Sequence, residues 1–364
     1  MTPTQPIVDR RAGVIFNGGH GPGGLTLSAM DPITQVALGA VAAQAVTGPG
    51  AQRRAAIAGG LGGLLPDADV FIRSASDPLL FLEYHRHFTH ALAFIPLGGL
   101  LAAAVAWLVG RGRWPLSTLV LPAAVGWATH GPLDACTSYG THLGWPFTDA
   151  RVAWNLISIV DPIFTGLLLV GLWRALRRNA PAPSRRWLIA AAIYMGVCAL
   201  QVGRARAAYG IVIAERGHAP ASFEVRPSIG NNILYRGFYE LDGEYHVDAI
   251  RAPWTGPAAI LSGHRHPALD ADSFATRYGL TPSQREDLAR FRFFSAGFLI
   301  EDRRFPGVVS DFRYAAVPDS VAPLWGIDFD GLEPAQHARY RTFNRIEPAQ
   351  RARFFKMILG NEDD

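Results

Sequence analysis

Three histidines, an arginine and a glutamate stand together in the stretch Glu83 to His90, which reads Glu-Tyr-His-Arg-His-Phe-Thr-His. An apolar run from Ala91 to Gly110 follows immediately, and it could cross a bilayer because a spanning helix needs roughly 20 residues. Polar side chains at the mouth of such a helix are costly unless something pairs with them. A metal ion is the simplest partner, so this stretch predicts a metal site at the membrane edge.

Two histidines of this stretch, His85 and His90, are the candidate ligands, because neutral imidazole is the commonest metal-ligating side chain. Residues five apart do not share a helical face, so we expect one to precede the apolar helix and the other to lie in its first turn. His87 is interpreted as an exposed or interfacial histidine. Arg86 could clamp an anionic group such as phosphate or carboxylate, or it could pair with Glu83.

Two carboxylates, Asp67 and Asp69, end an earlier apolar segment in the sequence Leu-Pro-Asp-Ala-Asp. Carboxylates are costly to bury unpaired, so at least one is predicted to ligate a metal. The alternative is a solvated helix end with Arg73 as partner. If one carboxylate is not a ligand, it is the best candidate for a general base.

A histidine and an aspartate at positions i and i+4, His130 and Asp134, lie on one face of a helix and could hold one ion together. Pro132 lies between them, and a proline inside a helix costs a hydrogen bond and kinks it. Further along, Asp161 precedes Pro162 at the start of another apolar segment. It is either a helix N-cap or a further ligand, and the sequence leaves both open.

The composition divides the chain. Hydrophobic residues make up 49% and charged residues 18% of it, and nearly all long apolar runs fall within residues 31–203. The formal net charge of +4 does not argue for nucleic acid, since arginines cluster in cytoplasmic loops of membrane proteins. The two cysteines, Cys136 and Cys198, provide neither a disulfide framework nor a cysteine-based zinc site, and we expect small buried side chains.

Apolar segments are predicted near 32–47, 54–72, 91–110, 115–131, 156–173 and 187–203. Residues 1–29 form a predicted disordered N-terminal extension, with Met30 as a candidate start. The predicted fold is therefore an α-helical polytopic membrane domain of about five or six transmembrane helices, residues 30–203. A smaller α+β extramembrane domain, residues 204–364, follows it. Four glycines of the second segment, at 59, 60, 62 and 63, are interpreted as helix-packing positions.

Arginines predict the orientation. The loops after the first, third and fifth segments carry more arginines than those after the second and fourth, which places the arginine-rich loops in the cytoplasm. Arg204 and Arg206, beyond the sixth segment, argue mildly against this. The loops that carry the candidate ligands then all fall near the outer face of the membrane, as expected for a shared site.

The C-terminal region carries ordinary soluble signals. Asp242-Gly243 between strand-like runs predicts a hairpin with a two-residue turn, with strands over 235–239 and 245–250. A Thr-Pro-Ser start predicts a helix over 281–291, and another helix is predicted over 348–359. The orientation places this domain outside the cytoplasm.

Several motifs occur in an order that resembles one family, the inner-membrane metal-dependent hydrolases, also described as LexA-binding membrane-associated hydrolases. They are Met30-Asp-Pro-Ile-Thr-Gln, Leu65-Pro-Asp-Ala-Asp, His85-Arg86 with Thr89-His90, Thr129-His130 with Leu133-Asp134, Trp145-Pro-Phe and Asp161-Pro-Ile-Phe-Thr. The resemblance covers roughly residues 30–175. His87 departs from it, where a small residue is usual, and so does Ala91, where serine is usual.

The resemblance implies a metal group of Asp67, Asp69, His85, His90, His130 and Asp134. Mixed His/Asp ligation suits Zn²⁺, Mn²⁺ or Fe²⁺, as one or two ions. The expected function is hydrolysis of a lipid or envelope ester or phosphoester by metal-activated water, with Asp67, Asp69 and Arg86 as catalytic residues. A LexA-type regulator is a partner by the family description only.

Two other classes of function compete with hydrolysis. One is a non-catalytic membrane protein with a structural metal site, acting as a regulatory or docking partner. The other is a transporter, with intramembrane acids and histidines along its path. The third and sixth segments are almost free of polar residues, which disfavours transport.

Overall fold

The computed structural model describes residues 31–343 and 346–360, so the predicted extension 1–29 and Met30 lie outside the described residues. Its N-terminal part is helical. The helices are α1 Pro32–Val46, α2 Gln52–Leu64, α3 Leu80–Tyr84, α4 Ile95–Val109, α5 Ser117–Ala135, α6 Pro162–Arg178 and α7 Ala182–Glu215. Short 3-10 turns at Leu65–Phe71, Phe88–His90 and Leu92–Phe94 connect α2, α3 and α4.

Small residues let α1, α2 and α5 approach closely. A Cβ atom on Gly59 would lie 2.4 Å from the Gly39 carbonyl oxygen, and one on Gly62 would lie 2.2 Å from the Ala123 carbonyl oxygen. Both distances are far inside van der Waals contact, so a side chain would separate the helices. The packing interpretation of the glycines therefore agrees with the geometry.

The bundle has two chemically different ends. Arg53 at the start of α2, Arg111 after α4 and Arg177 at the end of α6 lie at one end, where the backbone N–H of Gly50 donates to the Asn179 carbonyl. The opposite end holds the start of α1, the end of α2, the entry to α4 and the end of α5. The acids and histidines of interest lie at this second end, because the main helices alternate in direction.

Strands dominate the C-terminal part. They are β1 Phe223–Pro227, β2 Leu234–Leu241, β3 Glu244–Arg251, β4 Ala259–Pro267, β5 Leu299–Glu301, β6 Val308–Asp311, β7 Trp325–Asp328 and β8 Arg339–Thr342. Two antiparallel four-stranded sheets result, each with its strands in chain order. The predicted hairpin is present: Leu241 pairs with Glu244, and Asp242 and Gly243 both have positive φ, 51° and 77°, as a type I′ turn requires.

Three helices accompany the sheets: α8 Ala271–Arg277, α9 Pro282–Phe294 and α10 Pro348–Leu359. The predicted helices over 281–291 and 348–359 correspond to α9 and α10. Thr281 caps α9 in a reciprocal capping box with Gln284, which is why the Thr-Pro-Ser start was informative.

The two parts share packed surfaces. Helix α7 continues past the predicted boundary at 203/204 to Glu215, and its Tyr209 is buried against Tyr235 and Ile250 of the first sheet. Elsewhere, Leu82 of α3 and Phe291 of α9 belong to one hydrophobic cluster. The predicted boundary thus falls inside a continuous helix.

The coarse fold prediction, a helical part followed by a strand-rich domain, agrees with the structure. Within the described residues, two helical stretches are long and apolar enough to cross a membrane, Leu92–Val109 and Ala182–Glu215. Large apolar side chains on α4 and α7 face outward, among them Leu101, Leu108, Ile193 and Leu200. The count of five or six spans remains a prediction.

Candidate metal centre

Four separate segments bring acids and histidines to one end of the bundle. Asp67 and Asp69 lie in the 3-10 turn that follows α2, and His130 and Asp134 lie in the last turns of α5. His85 directly follows α3.

His90 ends the 3-10 turn Phe88–His90. The expectation that one histidine would lie in the first turn of the apolar helix was wrong, because α4 begins only at Ile95. Both His85 and His90 therefore belong to the irregular entry to α4, where they face the end of α2.

Four side chains converge most tightly: Asp67, His90, His130 and Asp134 offer ligand atoms that all lie within 4.8 Å of one another. The Nε2 atoms of His90 and His130 are 2.9 Å apart. Asp67 Oδ1 lies 3.5 Å from the first and 3.4 Å from the second, and Asp134 Oδ2 lies 3.2 Å and 3.8 Å from them. Two imidazoles and two carboxylates thus point at one small volume.

Hydrogen bonds at the far side of each ring fix which nitrogen faces that volume. His130 Nδ1 lies 2.7 Å from the Gly63 carbonyl oxygen, which can only accept, so Nδ1 carries the proton. His90 Nδ1 lies 3.0 Å from Thr89 Oγ1 and 3.3 Å from Asp69 Oδ2. Carbonyl and carboxylate oxygens behind a ligating imidazole are the usual second layer of a metal site. Each Nε2 therefore faces the shared volume and presents a lone pair when its imidazole is neutral.

The carboxylate of Asp134 also has one atom held by a hydrogen bond and another facing the shared volume. Asp134 Oδ1 accepts a 3.0 Å hydrogen bond from Gln35 Nε2, whereas its Oδ2 has no hydrogen-bond partner among the described residues. Neither oxygen of Asp67 has one either. A buried carboxylate without hydrogen bonds is costly, and a divalent cation among these atoms would satisfy Asp67 and add to the Arg86 ion pair of Asp134. The donor set fits such an ion.

Asp69 and His85 form a second group with Asp67. His85 Nδ1 lies 2.9 Å from Asp69 Oδ1, and Asp69 Oδ2 accepts from the Arg86 backbone N–H at 2.9 Å and from Thr89 Oγ1 at 3.1 Å. Asp69 therefore orients the segment that carries both histidines. His85 Nε2 has no hydrogen-bond partner within the described ranges, so a second ion could share Asp67.

Arg86 is almost fully buried, with 1% of its surface exposed. Its Nε lies 3.3 Å from Asp134 Oδ2, its Nη1 donates to Thr137 Oγ1 at 3.0 Å, and its guanidinium lies over the Tyr139 ring. Glu83, the alternative partner, pairs with Arg290 instead. Arg86 therefore supplies positive charge beside the carboxylates, and its contact with a substrate stays a prediction.

The one further candidate ligand from the sequence, Asp161, lies outside the convergence, as do both cysteines. Asp161 is the N-cap of α6, where its Oδ1 accepts from the backbone N–H groups of Ile163 and Phe164 and both its oxygens accept from Tyr194. Cys198 is buried in the hydrophobic core of the bundle, and Cys136 packs against that core. All six predicted ligands come together, and Gln35 is the contact that sequence reasoning did not single out.

The fold and this site define a class: a helical bundle with an apolar exterior, a His/Asp cluster that could hold a cation at one end and a strand-rich domain beside it. Residues 30–205 match the family described as YdjM inner membrane protein. The family is one of inner membrane proteins, and neither hydrolase activity nor LexA binding comes with the match. No curated protein and no solved structure matches the chain.

Proposed function

We propose that this protein is a multi-pass inner-membrane hydrolase whose divalent metal is held by Asp67, His90, His130 and Asp134. One observation supports it above the rest: the Nε2 atoms of His90 and His130 lie 2.9 Å apart while both Nδ1 atoms contact oxygen acceptors. Two lone pairs at this distance repel each other unless a cation or a proton lies between or beside them. The carboxylates of Asp67 and Asp134 next to them favour the cation, since Asp67 has no hydrogen-bond partner among the described residues.

The chain's own residues supply the remaining parts. Zn²⁺ or a similar ion held there would lower the pKa of a water molecule and polarise the scissile group. With one ion bound, the Asp67 oxygen that does not ligate it is the candidate to accept a proton from that water, because 12% of the Asp67 side chain is exposed while the side chains of His90, His130 and Asp134 are not exposed at all. Arg86 stabilises the carboxylate of Asp134 and would favour an anionic substrate group.

A second ion is part of the proposal. Asp67 belongs both to the tight group and to the group with Asp69 and His85, and a shared carboxylate is typical of two-metal hydrolytic sites. His85 has 11% of its side chain exposed, so this edge of the site is the one that water reaches.

The apolar exterior supports embedding in the bilayer. Exposed leucines, isoleucines and tryptophans cover α4, α6 and α7, and large exposed apolar patches on a soluble protein would be unfavourable. By the arginine distribution, the metal end and the strand-rich domain face away from the cytoplasm. A lipid or envelope ester or phosphoester would reach the site from that side.

A competing function is a structural metal site in a regulatory or docking protein. Full burial of His90, His130 and Asp134 favours it, because four protein ligands without an open position are typical of structural sites. Metal removal separates the two proposals. A structural ion would stabilise the fold without supporting turnover, whereas a catalytic ion supports turnover.

The test uses the full chain purified in detergent. Metal content is measured for the wild type, Asp134→Ala and His130→Ala, with His264→Ala in the strand-rich domain as the control. Hydrolysis of chromogenic phosphomonoesters, phosphodiesters and carboxylic esters, and of phospholipid vesicles, is measured with added Zn²⁺ or Mn²⁺. We expect both site variants to lose metal and activity. The control, His264→Ala, should keep the metal content and the activity of the wild type.

Two results would overturn parts of the proposal. Unchanged metal content in both site variants would show that these residues do not hold the metal. The structural function would be favoured by three results together: the wild type contains metal, it hydrolyses none of these substrates in a metal-dependent way, and chelation lowers its melting temperature.

A further inference from the structure

A separate group of side chains, distinct from the two groups that contain Asp67, lies on the other side of Arg86 from His85. His87, His142 and Asp149 offer ligand atoms within 4.8 Å of one another, and the rings of His87 and His142 have centroids 4.8 Å apart. We propose that these three residues form an accessory Zn²⁺-type cation site, separate from the centre at Asp67 and sharing no ligand with it.

The backbone explains how neighbouring histidines serve different sites. Arg86 has a φ of 63°, a left-handed conformation that reverses the local chain direction. His85 consequently faces Asp69 at 2.9 Å, whereas His87 faces the loop between α5 and α6.

Backbone contacts hold that loop against the turn. The His142 N–H donates to the Arg86 carbonyl at 3.1 Å. Thr141 and Val152 exchange backbone hydrogen bonds of 2.9 Å and 3.0 Å, which close the loop and return Asp149 toward the two rings. The three side chains therefore converge because of backbone geometry, without needing an ion to assemble them.

Unpaired ring nitrogens point to a ligand. His142 has 6% of its surface exposed, yet its Nδ1 has no hydrogen-bond partner in the described part of the chain, and the same holds for His87 Nδ1. Trp145 packs on His87 with ring centroids 5.5 Å apart.

The donor set determines the class of ion. Two imidazoles and one carboxylate suit Zn²⁺ and related transition metals rather than Ca²⁺ or Mg²⁺, which prefer oxygen ligands. Asp149 is exposed, so the ion would exchange with solvent and keep an open position. Asp149 also lines a cleft of about 680 Å³ beside the strand-rich domain, and a bound ion would fix that edge of the cleft.

The experiment counts ions. The full chain in detergent, stripped of metal, is titrated with Zn²⁺ against a chromophoric chelator. We expect His142→Ala and His87→Ala each to bind one Zn²⁺ fewer than the wild type. The Asp134→Ala variant should lose the other centre and still bind this ion, and His264→Ala is the control for removal of an unrelated histidine.

A third variant tests the site with little risk of misfolding. Asp149→Asn changes an exposed side chain, so it should fold normally and weaken this Zn²⁺ by about 10-fold or more. Wild-type stoichiometry and affinity in both Asp149→Asn and His142→Ala would overturn the proposal. If Asp134→Ala were the only variant to lose Zn²⁺, the protein would have the main centre and no accessory site.

Discussion

Gln35 Nε2 donates a 3.0 Å hydrogen bond to Asp134 Oδ1, joining the first turn of α1 to the last turn of α5. Gln35 is fully buried, and the bond leaves Asp134 Oδ2 directed at His90 and His130. One helix thus supplies the carboxylate and another helix fixes its rotation. Residues that surround a metal site commonly orient its ligands through hydrogen bonds of this kind.

Replacing this glutamine should weaken metal binding without removing a ligand. In Gln35→Leu, Asp134 loses the bond that orients it, and we expect Zn²⁺ affinity to fall about 10- to 100-fold. The measurement is competition with a chelator. Gln44→Leu, a buried glutamine further along α1, should keep wild-type affinity; a similar loss in both variants would contradict the orienting role.

The close approach of α1 and α2 should be sensitive to a single methyl group. A Cβ on Gly63 would lie 2.4 Å from the Gln35 carbonyl oxygen, and the Gly63 carbonyl itself accepts from His130. We expect Gly63→Ala to reduce the free energy of unfolding by about 1–3 kcal/mol and to weaken metal binding. Thermal unfolding and metal titration measure the two effects.

The matched control is Gly196→Ala in α7, where a Cβ meets nothing within 4 Å. Alanine is a better helix former than glycine by about 1 kcal/mol, so this variant should be as stable as the wild type or more so. Equal destabilisation by both substitutions would show that helix packing at Gly63 is not the cause.

Asp161 should contribute to folding and not to metal binding. Its side chain caps α6 and accepts from the Tyr194 hydroxyl at 3.0 Å and 2.8 Å. Asp161→Ala should reduce the free energy of unfolding by about 1–2 kcal/mol and leave the metal content unchanged. Loss of metal from a folded Asp161→Ala protein would make Asp161 a ligand, the alternative that the sequence left open.

Arg290 of α9 joins the two parts of the chain through Asp77 and Glu83. It donates to both oxygens of Asp77, at 3.0 Å and 2.9 Å, and contacts the buried Asp287 at 3.3 Å. Arg290→Met leaves these carboxylates without their cation, and we expect a loss of about 1–3 kcal/mol in the free energy of unfolding. The control is Arg303→Met, which removes an exposed arginine that has no ion pair among the described residues.

The same contact gives a pH dependence. Burial alone would raise the pKa of Asp77, but the hydrogen bonds from Arg290 and Leu79 lower it below its ordinary value. A lowered folded-state pKa stabilises the protein above the unfolded value, about 4, and this contribution is lost as the pH falls below it. The difference in unfolding temperature between wild type and Arg290→Met should be constant from pH 6 to 8 and shrink below about pH 4.

The sequence predicted the elements that depend on local chemistry. Asp242-Gly243 predicted a hairpin because few residues accept positive φ at both central positions. The Thr-Pro-Ser start at Thr281 predicted a helix, and in the structure the side chains of Thr281 and Gln284 satisfy backbone groups only three residues away. The spacing of His130 and Asp134 placed them on one face because helical periodicity is local as well.

Longer-range features could not be predicted in the same way. His90 lies in a 3-10 turn before α4 because its Nδ1 and the Arg86 N–H both contact Asp69, a residue of another segment. Helix α7 runs through the predicted domain boundary because the strands pack on its far end. Composition changes along a chain do not record such contacts.

By itself, the sequence determined which residues could ligate a metal, because residue type fixes the available donor atoms, and it indicated the membrane-facing helices through their apolar runs. Only the tertiary structure decided that Asp67, His90, His130 and Asp134 share one volume, that Gln35 orients one of them, and that His87 faces His142. These distances depend on how closely glycine-lined helices pack and on which way the chain turns at Arg86. Both are set by contacts between residues far apart in the chain.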